Sequence, residues 1–337
     1  MHKGFRPVPC LLWLLLAALS LPLHAQNPRS LQDQGYRYYE VGALDAPRAA
    51  RTEPAMMLMG GGEWVPAAFQ WWLARAGHGR VVILRASGAD ELQNRLYREI
   101  GGAASVQTLV FNSRRAADDP AVLGVIAAAD AIFIAGGDQS RYIRFWKGTA
   151  VNEALNAHVR AGRPIAGTSA GLAILGGYSY GALDGGSVTS RRALRDPMGK
   201  AVTLDSDFLA MPYLANVVTD THFGKRDRLG RLIVFVARAA QRSGQQDMVG
   251  LGVDEDTALC VEADGTGQVF SRAGGYAWLV MPQRTADRLR GGQPLDFRAI
   301  PVTGVGEGSR LHLDGFQVDD AAFEMTADIR KGRLQLR

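Results

Sequence analysis

From about residue 55 onward, short apolar runs alternate with amphipathic stretches. Ala55 to Met59 is an apolar run ending in three glycines. VPAAFQWWLARAG follows, its apolar residues recurring at helical spacing with Gly77 placed to cap the end. Next come RVVILRAS, the helix-like ADELQNRLYREIG, SVQTLVFN, a helical stretch from Pro120 to Ala129, and AIFIAGGDQ. This alternation predicts an α/β fold with βαβ units and a mostly parallel sheet flanked by helices. Ligands of such sheets sit in the crevice beyond the carboxyl ends of the strands. Three strand ends here carry unusual chemistry: Gly60 to Glu63, Gly136 to Gln139, and Gly167 to Gly171.

Past Gly177 the pattern loosens into a glycine-rich, charged loop, YSYGALDGGSVTSRRALRDPMGK. A helix is expected from about Gly224 to Arg242. MVGLGVDEDTALCVE, GTGQVFSRAGGYAWLVM and SRLHLDGFQV then read as strands joined by turns. No Pro/Ser-rich linker sets them apart, so they are read as the β-rich C-terminal part of a single domain spanning residues 52–337. Residues 26–51 are polar and irregular and are read as a flexible leader.

The N-terminal residues 1–25 read differently. Lys3 and Arg6 precede the apolar block CLLWLLLAALSLPL, and Ala25 is placed for cleavage, the pattern of a secretory signal peptide. The block is shorter than the roughly 20 apolar residues a spanning helix needs. Export to the periplasm or the outside of the cell is therefore expected, with no membrane association after cleavage. Removing 25 of the 337 residues leaves 312, and losing Lys3 and Arg6 lowers the formal charge from +5 to +3. That excess is too small and too scattered to indicate nucleic acid. Of two cysteines only Cys260 outlasts the signal, so no intramolecular disulfide forms. An ordinary core must hold the chain together, which its 47% hydrophobic composition allows.

The most pointed chemistry lies in RPIAGTSAGLAILGG. GTSAG, residues Gly167 to Gly171, fits the G-x-S-x-G elbow, in which small neighbours permit a strained strand-to-helix turn that exposes the serine oxygen of Ser169. The backbone N–H of Ala170 then faces a developing oxyanion, with Gly136 or Gly137 at the neighbouring strand end as the second donor. A serine hydroxyl needs a base. His2 and His24 leave with the signal, and His78, His158 and His312 read as surface or structural residues. His222, in TDTHFGKRDRLGRL, is left as the general base. A carboxylate must orient it, and GLGVDEDTA offers Asp254, Glu255 and Asp256, among which spacing does not choose. These acids lack partners at metal-ligand spacing, so neither metal nor cofactor is expected.

IAGGDQ, GTSAG, TDTHFGKRDRLGRL and GLGVDEDTA, in this order and at these distances, resemble the cyanophycinase family of serine peptidases, relatives of aspartyl dipeptidase in peptidase family S51. The resemblance implies a class I glutamine amidotransferase-like fold, a flavodoxin-like three-layer arrangement, here with extra C-terminal strands. It also implies a Ser-His-Glu triad, which selects Glu255 beside Ser169 and His222; the mechanism expected from this chain has Gly137 and Ala170 as oxyanion donors. Carried over, Gln139, Asp220, Arg226, Arg228 and Arg231 line the substrate site. Their arginines suit carboxylates, which a guanidinium fork holds in bidentate fashion. Lys225 reads as solvated. The implied substrate is cyanophycin, a poly-aspartate backbone bearing arginine on each side-chain carboxyl, cleaved to β-Asp-Arg, and relatives suggest a homodimer. Thr221 stands where the family usually has Gln before the histidine, and Leu172 where it often has Ala. Both favour a rival substrate class, other acidic or isoaspartyl peptides. A non-catalytic protein that captures acidic ligands on the same fold is the rival from another class.

Overall fold

The computed structural model describes residues 1–2, 35–88 and 92–337. The expected signal peptide, apart from its first two residues, lies outside them. So does the start of the helix-like ADELQNRLYREIG segment.

Six strands build the frame of the first sheet: β1 (Tyr36–Gly42), β2 (Met56–Met59), β3 (Arg80–Arg85), β4 (Ser105–Phe111), β5 (Ala131–Ile134) and β6 (Ile165–Thr168). β4, β3, β5, β6 and β2 lie side by side in that order, every neighbour parallel. Their near-continuous Val/Ile/Leu/Met sequences reflect burial on both faces. Met57, Met59, Val81, Ile83 and Phe133 face one apolar cluster with the helix Pro66–Arg75. The alternate residues Met56, Leu58, Val82, Leu84 and Ile134 face another, covered by the helices Pro120–Ala128, Gln139–Trp146 and Ala150–Arg160. Period-two alternation thus supplies two helix-covered faces from each strand.

The C-terminal part is richer in strands than a simple extension of this sheet. β7 (Tyr178–Tyr180), β8 (Leu204–Ser206), β9 (Val217–Asp220), β10 (Val249–Val253), β11 (Thr257–Val261) and β12 (Thr266–Ser271) come first. β13 (Ala277–Val280), β14 (Phe297–Val305), β15 (Arg310–His312), β16 (Gln317–Asp319), β17 (Phe323–Arg330) and β18 (Arg333–Leu336) complete the described chain. β11, β12, β15 and β16 extend the first sheet beyond β2 in antiparallel fashion. The others form a second sheet in the order β18-β17-β14-β13-β10-β9-β7-β8. Val249, Leu251 and Val253 of β10 join the cluster beneath the first sheet. The opposite face of the second sheet packs on the helix Leu229–Ser243 through Leu232, Phe235 and Val236.

Two expectations need correcting. The leader is not loose throughout: Tyr36 to Gly42 pairs antiparallel with Phe111 to Ser105, and Tyr36 is buried. Tyrosines at 36, 38 and 39 and Val41 suit a half-buried edge strand, a signal hidden by their polar neighbours. The helix expected from Gly224 begins only at Leu229. Asp254 Oδ1 accepts a hydrogen bond from the Gly224 N–H at 2.7 Å, and Asp227 takes a φ of 48°, so residues 224–228 form a turn. Among the described residues no helix is long and apolar enough to cross a membrane.

Candidate active site

Strand ends from both sheets converge on one cleft. β6 delivers Ser169, whose φ of 51° and ψ of −116° lie outside the regions an L-residue ordinarily occupies. The elbow closes because its flanking residues are glycines. A Cβ on Gly171 would stand 2.1 Å from the Ile134 carbonyl oxygen, and one on Gly167 2.7 Å from the Gly171 oxygen. The helix expected after the elbow is a single turn, Ala170–Ala173.

β9 delivers His222 just past its end, with a φ of 46° and its N–H donating to the Gly60 carbonyl at 2.7 Å. Gly61, after β2, presses on the imidazole: a Cβ there would stand 2.4 Å from His222 Cε1. The acidic turn 254–256 carries the chain from β10 in the second sheet to β11 in the first. Its three carboxylates have separate partners. Asp254 Oδ2 accepts from the Tyr276 N–H and the Trp278 indole, and Asp256 Oδ1 from the Glu63 N–H, so both brace loops. Glu255 instead reaches the imidazole of His222 and the ammonium of Lys225.

Ser169, His222 and Glu255 form one hydrogen-bonded line. Ser169 Oγ lies 2.7 Å from His222 Nε2, and His222 Nδ1 lies 2.6 Å from Glu255 Oε1. With Nδ1–H donating to the carboxylate, Nε2 is the acceptor for the serine proton, the tautomer a general base needs. Burial pulls the His222 pKa below its ordinary value, against the opposing hydrogen bond to Glu255, with the Arg226 and Arg228 charges adding to the lowering. Burial alone would raise Glu255. Hydrogen bonds from Lys225 and His222 outweigh it and hold the carboxyl below its usual range. The Lys225 contact, 2.6 Å to Glu255 Oε2, corrects the reading of that lysine as merely solvated. Arg226 Nε stands 3.8 Å from the other carboxylate oxygen.

The cleft has a volume of about 390 Å³. Gly137, Gln139, Ala170, Arg226 and Arg228 line it together with Ser169 and His222. The backbone N–H groups of Gly137 and Ala170 have no hydrogen-bond acceptor among the described residues, which leaves two donors beside the serine. Asp220 and Arg231 do not line the cleft. Arg231 Nε donates to Asp220 Oδ2 at 2.7 Å and Nη2 to Oδ1 at 2.5 Å, and their side chains are each 2% exposed. Their expected role in touching substrate is therefore corrected: they form a buried, bidentate pair. The pair underlies the cleft wall, because Arg231 Nη1 also donates to Ser187 Oγ and to the Val188 carbonyl. Arg228 reaches over it to the Thr221 carbonyl and hydroxyl, at 2.8 and 3.1 Å. Burial pulls Arg228 down to about 10, which leaves it charged at neutral pH.

Sequence reasoning missed Ser187, which sits in an irregular loop without a motif, and Lys225, which sits inside one. The proximity of Lys225 to His222 in the chain was the available signal. Among the described residues no group of three His, Cys, Asp or Glu side chains is placed to hold a metal ion.

The model for peptidase family S51 matches residues 91–269. A cyanophycinase from Trichormus variabilis is 31% identical over 224 residues, covering 65% of this chain and 68% of that protein. One from Thermosynechococcus vestitus is 33% identical over 195 residues, covering 57% and 55%. A solved peptidase from an acI-B1 actinobacterium overlays 78% of this chain and 98% of its own with a TM-score of 0.49 and 16% identity. The family match spans the elbow, the histidine turn and the acidic turn alike, and this chain belongs to peptidase family S51, the serine-type hydrolases.

Proposed function

We propose that this chain is an exported serine peptidase that hydrolyses cyanophycin to β-Asp-Arg dipeptides through a Ser169-His222-Glu255 triad. The observation that carries the mechanism is the continuous line Ser169 Oγ, His222 Nε2, His222 Nδ1, Glu255 Oε1. Ser169 Oγ attacks the scissile carbonyl as His222 Nε2 takes its proton, and the N–H groups of Gly137 and Ala170 hold the oxyanion. The imidazolium, stabilised by Glu255, returns the proton to the leaving amine, and the C–N bond breaks to leave an acyl-enzyme. Water, deprotonated by His222, then attacks the ester and releases Ser169. The cyanophycin reading leans on the relatives named above and on Arg226 and Arg228 in the cleft, which suit the free carboxylates of the substrate's arginyl groups. Export leans on the apolar block that follows Lys3 and Arg6.

A second reading within the class is hydrolysis of other acidic or isoaspartyl peptides. Thr221 favours it: the hydroxyl that replaces the family glutamine is held by Arg228 at the cleft wall. The deciding experiment incubates the mature protein and Ser169→Ala with insoluble cyanophycin and follows β-Asp-Arg by mass spectrometry. Release by the wild type alone is expected. No release from a protein that a fluorophosphonate labels at Ser169 would move the substrate to other acidic peptides. No labelling of the folded protein would end the hydrolase mechanism and favour a non-catalytic binder of acidic ligands.

A further inference from the structure

The long loop between β7 and β9 supplies part of the cleft wall through Gly185, Gly186 and Ser187. Three residues after Ser187 the helix Ser190–Arg195 begins, capped by Thr189, whose hydroxyl accepts from the Arg192 N–H. This helix borders a second depression of about 580 Å³, lined by Thr189, Arg191, Arg192, Arg195, Asp196 and Gly292. Thr189 is two residues from a residue of the cleft, so the two hollows approach within roughly 7 Å along the chain. The junction is fixed from below: Ser190 Oγ accepts from the Arg231 N–H, and Arg231 Nη1 donates to the Val188 carbonyl.

The three arginines are exposed, and among the described residues none of their side chains has an ion pair or a hydrogen bond. Their spacing is costly. Arg191 and Arg195 are four apart and Arg192 and Arg195 three apart, so like charges share a face where they destabilise the helix. Asp196 is the single carboxylate among the residues lining the hollow, which leaves a net positive surface that an anion would relieve.

We propose that Arg191, Arg192 and Arg195 form a carboxylate-binding extension of the cleft, which grips the free carboxylates of a polypeptide substrate beyond the bond being cut. The chemistry fits. Guanidinium forks prefer carboxylates, and neighbours on one helix face sit about 5–6 Å apart, close to the roughly 7 Å between alternate side chains of an extended chain. The substrate class rests on the function proposed above. The extension makes its own claim, that long acidic chains are held more tightly than short ones.

The test uses the mature Ser169→Ala protein and fluorescein-labelled deca-aspartate, with binding read by fluorescence anisotropy. Replacing the three arginines together by Gln is expected to weaken binding about ten-fold, the scale of a few exposed charge pairs, and added salt to weaken the parent more than the variant. Equal binding by both proteins would overturn the proposal. So would displacement by an oligonucleotide of equal charge as readily as by unlabelled deca-aspartate, which would make the surface a general polyanion site. In the active enzyme, the triple variant is expected to raise KM for polymeric cyanophycin while leaving kcat/KM for its shortest cleavable fragment unchanged. Equal losses on both substrates would count against an extension. Arginine-dependent binding of deca-aspartate by a protein that leaves cyanophycin intact would uphold this surface and reject cyanophycin as the substrate. Cyanophycin cleavage with arginine-independent binding would do the reverse.

Discussion

Lys225 Nζ lies 2.6 Å from Glu255 Oε2, the carboxylate oxygen that His222 leaves free. The lysine therefore competes with the imidazolium for the same negative charge. His222 faces Glu255 as its one negative partner and the charges of Arg226 and Arg228 as positive ones, while burial disfavours its protonated form. As the base must be neutral, kcat/KM is expected to fall on the acid side with a midpoint below the ordinary histidine value. In Lys225→Met the carboxylate is freed to stabilise the imidazolium, His222 protonates more readily, and the acid limb moves to higher pH. The side chain of Lys225 is 72% exposed, so the displacement should shrink in high salt. A pH–rate profile at two ionic strengths reads both effects, and an unmoved acid limb would remove Lys225 from the electrostatics of the base.

Glu255→Gln keeps the shape of the side chain but lets its amide donate to His222 Nδ1, which favours the tautomer with the proton on the wrong nitrogen. The expected fall in kcat is about 10³–10⁴-fold, with KM little changed. Single-turnover labelling of Ser169 by a fluorophosphonate should slow in parallel.

Arg231→Met leaves the buried Asp220 carboxylate without its bidentate partner, held only by the Thr221 N–H and by Arg228 at 3.5 Å. A loss of roughly 3–5 kcal/mol in folding stability is expected from denaturant unfolding, because one half of a buried pair is removed. Pairing the change with Asp220→Leu should restore much of it. A direct substrate contact would instead leave stability intact and raise KM.

Gly61→Ala places a methyl where His222 Cε1 already stands at 2.4 Å, at a φ of 102°. The imidazole must shift, and a displacement of about 1 Å from Ser169 is worth about 100-fold in kcat. Activity should fall far more than the affinity for a product dipeptide, measured by calorimetry.

His158 gives a pH dependence of stability remote from the site. Its Nε2 donates to the Pro164 carbonyl at 3.0 Å, and burial pulls its pKa from 6.5 down to about 4. Between those values the unfolded chain takes up a proton that the folded chain refuses. Stability is therefore full above about pH 6.5 and declines toward pH 4 by roughly 3 kcal/mol. His158→Gln should flatten that slope in denaturant titrations at the two ends.

Much of this architecture was legible because its signals are local. The parallel strands announce themselves as apolar runs, and GTSAG carries its own turn chemistry in Gly167 and Gly171. Spacing alone left the choice between Asp254, Glu255 and Asp256 open, since the selection is made by tertiary partners: Tyr276, Trp278 and the Glu63 backbone occupy the two aspartates. The same reason hid the fate of Arg231. A guanidinium in a basic segment reads as a ligand holder until the opposing Asp220 is known to lie within reach. β1 escaped notice because an edge strand needs only one apolar face, and tyrosine serves there while looking polar.

Ser169 hangs from the first sheet, His222 from the second, and Glu255 from the turn that passes between them. Alignment of the proposed triad is thus a vernier on the seam between two sheets. A shear of about 1 Å along that seam would leave each sheet's hydrogen-bond ladder and the apolar layers intact, yet pull the serine oxygen out of the imidazole's reach. The molecule would fall silent as a peptidase while still folded.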